Sequence, residues 1–222
     1  MKVIITGATG MVGKSVLMEC LNDDRVNQVL VLTRRSTGLM HPKLKELLHE
    51  DFLNFATVAE ELAGYDACFH CMGVSAVGKS EADYTRLTYA VTTGLATTLL
   101  EQNPGMVFNY VSGTGSDSSE KGRIMWARVK GRTENAILNM GFKDAYAIRL
   151  GGLIPSKGIK SRTGWVNTML VIFSPLFPLM KRMKSITTSE KLGQAMINSL
   201  YYPQKGKHLE NREINQLASA QP

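Results

Sequence analysis

The chain has 222 residues, 44% of them hydrophobic. That is enough for a single domain which buries about 70% of its unfolded surface and needs no disulfide or metal staples. Lysine and arginine outnumber aspartate and glutamate by 26 to 19, a surplus that favours anionic ligands. These basic residues are spread over several segments with no aromatic platform beside them, which argues against a specific nucleic-acid surface. Three cysteines, Cys20, Cys68 and Cys71, cannot all pair with one another. Met1-Lys2-Val3 opens directly into a strand without a signal-peptide pattern, so a reduced, cytoplasmic protein is expected.

In chain order, the apolar run Val3-Ile4-Ile5 leads into Thr6-Gly7-Ala8-Thr9-Gly10-Met11-Val12-Gly13, and a helical segment from Ser15 to Leu21 leads out. Three glycines at three-residue intervals between a strand and a helix let the backbone turn sharply and approach a ligand. The free N–H groups of the helix's first turn then face an anion, and a pyrophosphate suits them. Gly7, Thr9, Gly10, Met11, Val12 and Gly13 are therefore candidate cofactor contacts, with a plain packing turn as the alternative. The second strand, Gln28 to Thr33, ends in Arg34-Arg35, where an NAD-binding fold usually places an acid on the adenosine ribose. Forked guanidinium donors there suit a 2′-phosphate and argue for NADP over NAD, unless they are simply solvated loop arginines. Leu44 to His49 has a helical look, and Glu50-Asp51-Phe52 closes a short third strand or its exit. Asp51 could read the adenine amino group and Phe52 could lie beside the ring, a plain loop acid being the other reading.

The fourth strand, Asp66 to Gly73, ends in Cys71-Met72-Gly73, candidate cofactor contacts where the chain passes the ligand. Strand residues three apart point to opposite faces, so Cys68 and Cys71 cannot jointly hold a metal or form a disulfide. No metal set is read, and His70 reads as a satisfied strand histidine. Ser80 to Gln102 is a long packing helix with Leu87, Val91, Leu95 and Leu99 on one face, stopped by Asn103-Pro104-Gly105. A fifth strand, Met106 to Ser112, runs into the polar loop Gly113 to Ser119. The next helix, to about Asn139, puts Trp126 and Lys130 on one face. A sixth strand, Tyr146 to Leu150, leads to Gly151-Gly152. Strands alternating with helices give an α/β fold, a Rossmann-like doubly wound parallel sheet with its ligand crevice at the strands' carboxyl ends.

The glycine turn, Cys71-Met72-Gly73, Ser112 at a strand end, the helix Trp126 to Glu134, and Arg149-Leu150-Gly151-Gly152-Leu153-Ile154 together resemble the short-chain dehydrogenase/reductase superfamily. More narrowly they resemble its extended or atypical members, the epimerase/dehydratase group and the branch of the Tat-interacting oxidoreductase and NmrA-like proteins. The resemblance implies that Ser112, or Thr114, holds a substrate oxygen and that Lys130 holds the nicotinamide ribose. It also implies that Trp126 stands where the family has its catalytic tyrosine. An indole N–H donates a hydrogen bond but releases no proton at any useful pH, and loss of a general acid costs roughly 10²–10⁴-fold in rate. Tyr84, Tyr110 and His70 are the candidate substitutes. Two functions follow: an NADP(H)-dependent reductase or epimerase acting on a small carbonyl compound, or a catalytically silent NADP(H) sensor or scaffold.

The whole chain reads as one domain, with 153–222 contributing a small substrate lobe. This part starts basic, with Lys157, Lys160 and Arg162, and continues with an uncharged run from Gly164 to Met180. The run is shorter than the ~20 apolar residues of a membrane span and contains two prolines and an asparagine. A hydrophobic wall over the cleft, or a homodimer or partner contact, is expected instead, with a surface-anchoring patch as the remaining alternative. Ser189 to Tyr202 reads as a last amphipathic helix and Ala218 to Pro222 as a frayed terminus.

Overall fold

The fold was obtained as a computed structural model, which describes residues 1–156, 177–180, 183 and 185–220. Strands β1 (Lys2–Thr6), β2 (Gln28–Thr33), β3 (Leu44–Leu48), β4 (Ala67–His70), β5 (Val107–Gly113), β6 (Asp144–Leu150) and β9 (His208–Glu210) form one sheet in the order β3-β2-β1-β4-β5-β6-β9. Every pairing in it is parallel. A separate parallel pair joins β7 (Gly152–Ile154) to β8 (Ile186–Thr188).

The central strands are buried on both faces, so they read as continuous apolar runs. On β1, Val3 and Ile5 face a core with α1 (Met11–Asn22), α5 (Ser189–Asn198) and α6 (Asn211–Ala218). Ile4 faces the opposite core, shared with α3 (Val91–Gln102) and α4 (Met125–Leu138). The same alternation sends Cys68 to the second core and Cys71 to the first, and all three cysteines are free.

Four local readings are corrected. Leu44–Leu48 is strand β3, because pairing with Val29 to Thr33 outweighs the helical preference of Leu, Lys and Glu. Before α3, the helix α2 (Glu81–Thr85) passes through a π-helical turn, Arg86–Ala90. That turn sends Tyr84 and Thr88 inward and leaves Leu87 42% exposed, off the packing face expected for it. The helix from Ser189 ends at Asn198 and is not the last, since β9 and α6 follow. The terminus is anchored as far as Ala220, whose carbonyl accepts a hydrogen bond from Asn198 Nδ2 at 3.0 Å.

The segment 153–222 divides. β7 and β8 stand apart from the main sheet, while from Ser189 onward the chain rejoins it, with α5 on α1 and β9 beside β6. Lys157, Lys160, Arg162 and Gly164 to Leu176 lie outside the described residues, and Phe177–Met180 is one helical turn. Among the described residues no helix is long and apolar enough to cross a membrane.

Candidate active site

The strand order reverses between β1 and β4, so the loops after these two strands flank a crevice at the sheet's carboxyl end. They approach closely. A Cβ on Gly7 would lie 2.6 Å from the Cys71 carbonyl oxygen, and Gly7 has φ +71°, so both space and backbone demand glycine. A Cβ on Gly13 would lie 2.3 Å from the Gly7 carbonyl oxygen, which locks α1 against the turn. Gly10 differs: its backbone is extended, and its Cβ would meet only the Gly7 oxygen, at 3.3 Å.

Gly10 caps α1, and the first bond within the helix runs from Lys14 N to Gly10 O at 2.9 Å. The N–H groups of Met11, Val12 and Gly13 therefore lie in the first turn, where they have no partner within the helix, and that turn carries no acidic residue. Thr9 is half-buried beside them, and Met72 and Gly73 lie across the crevice. A Cβ on Gly73 would enter open space. This bare cradle of donors fits a dinucleotide's pyrophosphate.

The β2 and β3 exits lie side by side, with Thr33 paired to Leu48 and His49 N donating to Thr33 O at 2.9 Å. Arg34 and Arg35 are exposed there, and neither guanidinium has a partner among the described residues. Asp51 is exposed too, and its Oδ1 accepts from Leu53 N at 3.0 Å. Phe52 is half-buried, packed edge-on against Phe55 with ring centroids 5.7 Å apart and tilted on His49.

At the end of β5, three expected residues converge. Ser112 is buried, its Oγ 2.9 Å from Ser116 Oγ, which donates to Gly113 O at 2.8 Å. Lys130 Nζ would lie 3.8 Å from a Cβ on Gly113, and the Trp126 ring 3.6 Å from one on Gly115. Burial lowers the Lys130 pKa, and Glu134, one turn on, opposes that. Glu134 is fully buried and paired with Arg149 at 2.6 Å, with His208 Nε2 3.3 Å from the same carboxylate oxygen. Ser116, Glu134 and Arg149 were missed in the sequence as part of this site. The i, i+4 spacing of Lys130 and Glu134 was the one available signal.

The three substitute proton donors are buried. His70 has no exposed surface, with Nδ1 2.9 Å from Thr6 Oγ1 and Nε2 3.1 Å from Thr92 Oγ1. Burial lowers its pKa from 6.5 to about 3. Tyr84 and Tyr110 are each 2% exposed, and burial raises both phenols. The His70 shift also sets a pH dependence. Between pH 6.5 and about 3 the unfolded chain binds a proton that the folded chain does not, so stability is full above this window and falls as the pH drops through it. The expected slope approaches 1.4 kcal/mol per pH unit from this group. Urea unfolding between pH 7 and 4.5 should show His70→Gln flattening that slope; an unchanged slope would mean that His70 takes up its proton at the same pH in the folded and unfolded chains.

Residues 3–123 match the description of the NAD dependent epimerase/dehydratase family, and the chain belongs to that family. Its fold is thus of the NAD(P)-dependent oxidoreductase or epimerase type. The protein Fmp52, mitochondrial, of Candida albicans is 25% identical over 158 residues, covering 69% of this chain and 68% of that protein. Among solved structures, the thiolation-reductase di-domain of an archaeal non-ribosomal peptide synthetase is similar with a TM-score of 0.71 at 14% identity, over 94% of this chain and 70% of that one. The dTDP-glucose 4,6-dehydratase DesIV of Streptomyces venezuelae, with NAD bound, matches with a TM-score of 0.67 at 16% identity, over 98% and 80%. A UDP-N-acetylglucosamine 4-epimerase of Bacillus cereus gives 0.68 at 16%, over 97% and 83%.

Proposed function

We propose that this chain binds NADP(H) and acts as a reductase or epimerase on a small carbonyl compound, with Trp126 in the place of the family's tyrosine. The observation that carries this reading is the convergence of Ser112, Trp126 and Lys130 at the end of β5. The first turn of α1 would hold the pyrophosphate, Arg34 and Arg35 the 2′-phosphate, and Lys130 the nicotinamide ribose. Asp51 and Phe52 would border the adenine. When bound, the cofactor supplies hydride transfer. Ser112 would accept or donate at the substrate oxygen, and its hydroxyl is already oriented by Ser116. The indole of Trp126 would donate a hydrogen bond without surrendering the proton.

A second reading, a silent NADP(H) sensor or scaffold, is favoured by one specific observation. His70, Tyr84 and Tyr110 are walled into the core, which supports a site with no substitute for the missing tyrosine. In that case the uncharged run from Gly164 would meet a second copy or a protein partner. Three free thiols suit a reducing compartment, the cytoplasm in our reading. The name of the Candida relative carries a mitochondrial location, which fractionation of tagged protein would distinguish.

The test of the cofactor reading is direct. NADPH should bind at least tenfold more tightly than NADH, about 1.4 kcal/mol. Replacing Arg34 and Arg35 together by alanine should erase that preference and leave NADH binding almost unchanged. Equal affinities of the wild-type protein for the two cofactors in a fluorescence titration would remove the 2′-phosphate from the account.

A further inference from the structure

The segment Arg34-Arg35-Ser36-Thr37-Gly38 is tied down on both sides of its arginines. On one side, the buried Thr33 hydroxyl donates to Arg35 O at 2.8 Å and accepts from Arg35 N at 3.4 Å. On the other, Glu46 of β3 reaches across from its position opposite Val31. Its Oε1 accepts from Thr37 N at 2.8 Å and from the Thr37 hydroxyl. That hydroxyl in turn accepts from Leu39 N at 3.2 Å, and Ser36 Oγ accepts from Gly38 N at 3.1 Å. The main chain around Arg35 is thereby held in one conformation while both guanidinium groups stay exposed and, among the described residues, unpartnered.

We propose that Glu46 is a positioning residue for cofactor choice: its carboxylate clamps the loop after β2 so that Arg34 and Arg35 are presented to the adenosine 2′-phosphate of NADP(H). The inference rests on the reading of that loop as the 2′-phosphate site. Burial alone would raise the Glu46 pKa, but the hydrogen bonds from Ser36 and Thr37 outweigh it and hold the carboxyl below its ordinary value. It is therefore ionised at neutral pH, when its hydrogen bonds are charge-assisted and strong. A loop already ordered in its bound conformation pays less entropy when the phosphate arrives.

The clamp predicts the opposite sign from simple electrostatics. A carboxylate near an anionic group repels it, so neutralising Glu46 would strengthen NADPH binding if charge alone acted. The clamp requires Glu46→Ala to weaken NADPH binding, by about tenfold, the scale of one lost charge-assisted hydrogen bond. NADH binding, which lacks the 2′-phosphate, should stay within about twofold. Glu46→Gln keeps an acceptor oxygen for Thr37 and should recover most of the preference.

The experiment is a titration of the full chain and both variants with NADPH and with NADH, together with hydrogen exchange at the Thr37 amide in the absence of cofactor. Faster exchange in Glu46→Ala, a selective NADPH loss and rescue by Glu46→Gln support the clamp. Tighter or unchanged NADPH binding in Glu46→Ala overturns it, as does an equal loss of both cofactors, which marks general damage to the fold. If the wild type itself fails to discriminate, the 2′-phosphate reading falls and the clamp with it. A discriminating wild type whose Glu46→Ala variant discriminates just as strongly overturns the clamp alone.

Discussion

Gly10→Val is expected to leave the fold standing and to abolish dinucleotide binding, a loss of at least a hundredfold or about 2.7 kcal/mol. The three glycines of the turn are not equivalent. Gly7 and Gly13 are held by the chain itself, their Cβ positions lying 2.6 Å and 2.3 Å from main-chain oxygens, so alanine at either would force the turn or α1 to move. Gly10 already has the extended backbone that any residue adopts, and its one close contact, 3.3 Å from Gly7 O, is tight but asks for a shift of only a few tenths of an ångström. Its side chain would fill the space through which a pyrophosphate reaches the N–H groups of Met11, Val12 and Gly13. Thermal unfolding close to wild type together with lost NADPH binding is the expected pair of results, and Gly13→Ala should show the reverse emphasis, with stability lost first. A folded Gly10→Val protein that binds NADPH normally would make the turn a purely structural device.

Trp126→Tyr is expected to raise NADPH-dependent reduction of aldehydes and ketones, with a gain that approaches the 10²–10⁴-fold typical of a positioned general acid. The ring lies beside Gly115, a phenol is smaller than the indole it would replace, and Lys130 is one helical turn away beside Gly113. In the proposed site, Lys130 and Ser112, whose hydroxyl lies 2.9 Å from that of Ser116, would flank the new phenol. A panel of carbonyl substrates assayed with wild type and variant gives three readable results. A gain in the variant supports a silenced reductase site that still holds a carbonyl near the nicotinamide. Robust wild-type turnover sinks the sensor reading and requires another proton donor. Activity in neither protein, with NADPH still bound, leaves the sensor or scaffold as the better account.

Most of the crevice was legible because it is made by local rules. Glycines at positions 7, 10 and 13, a strand before them and a helix after them encode the tight turn and the helix start at the crevice within eight residues. Likewise the alternation of strand and helix encodes a parallel sheet. The opposed faces of Cys68 and Cys71 followed from the strand period, and the structure places the two in different cores. Where the reading failed, the deciding partner lay far along the chain. Leu44 to Leu48 carries helix-forming residues and becomes a strand only because β2 offers it an edge. His208–Glu210 is too short to show any period and exists as a strand through pairing with Ala147 to Arg149.

The same division runs through the chemistry. Sequence by itself determined which side chains are available: a tryptophan four residues before Lys130, two arginines where NAD-binding folds place an acid, and a glycine turn that leaves helix donors unpaired. Tertiary structure decided which of them can act, because burial and pairing are properties of neighbours brought from other segments. Folding puts His70 between Thr6 and Thr92 and strips it of its proton. It seals Tyr110 in the core, pairs Glu134 with Arg149, and brings Glu46 of β3 to Thr37 in the loop after β2. A side chain's desolvation is set by packing in three dimensions, which the order of residues along the chain does not display.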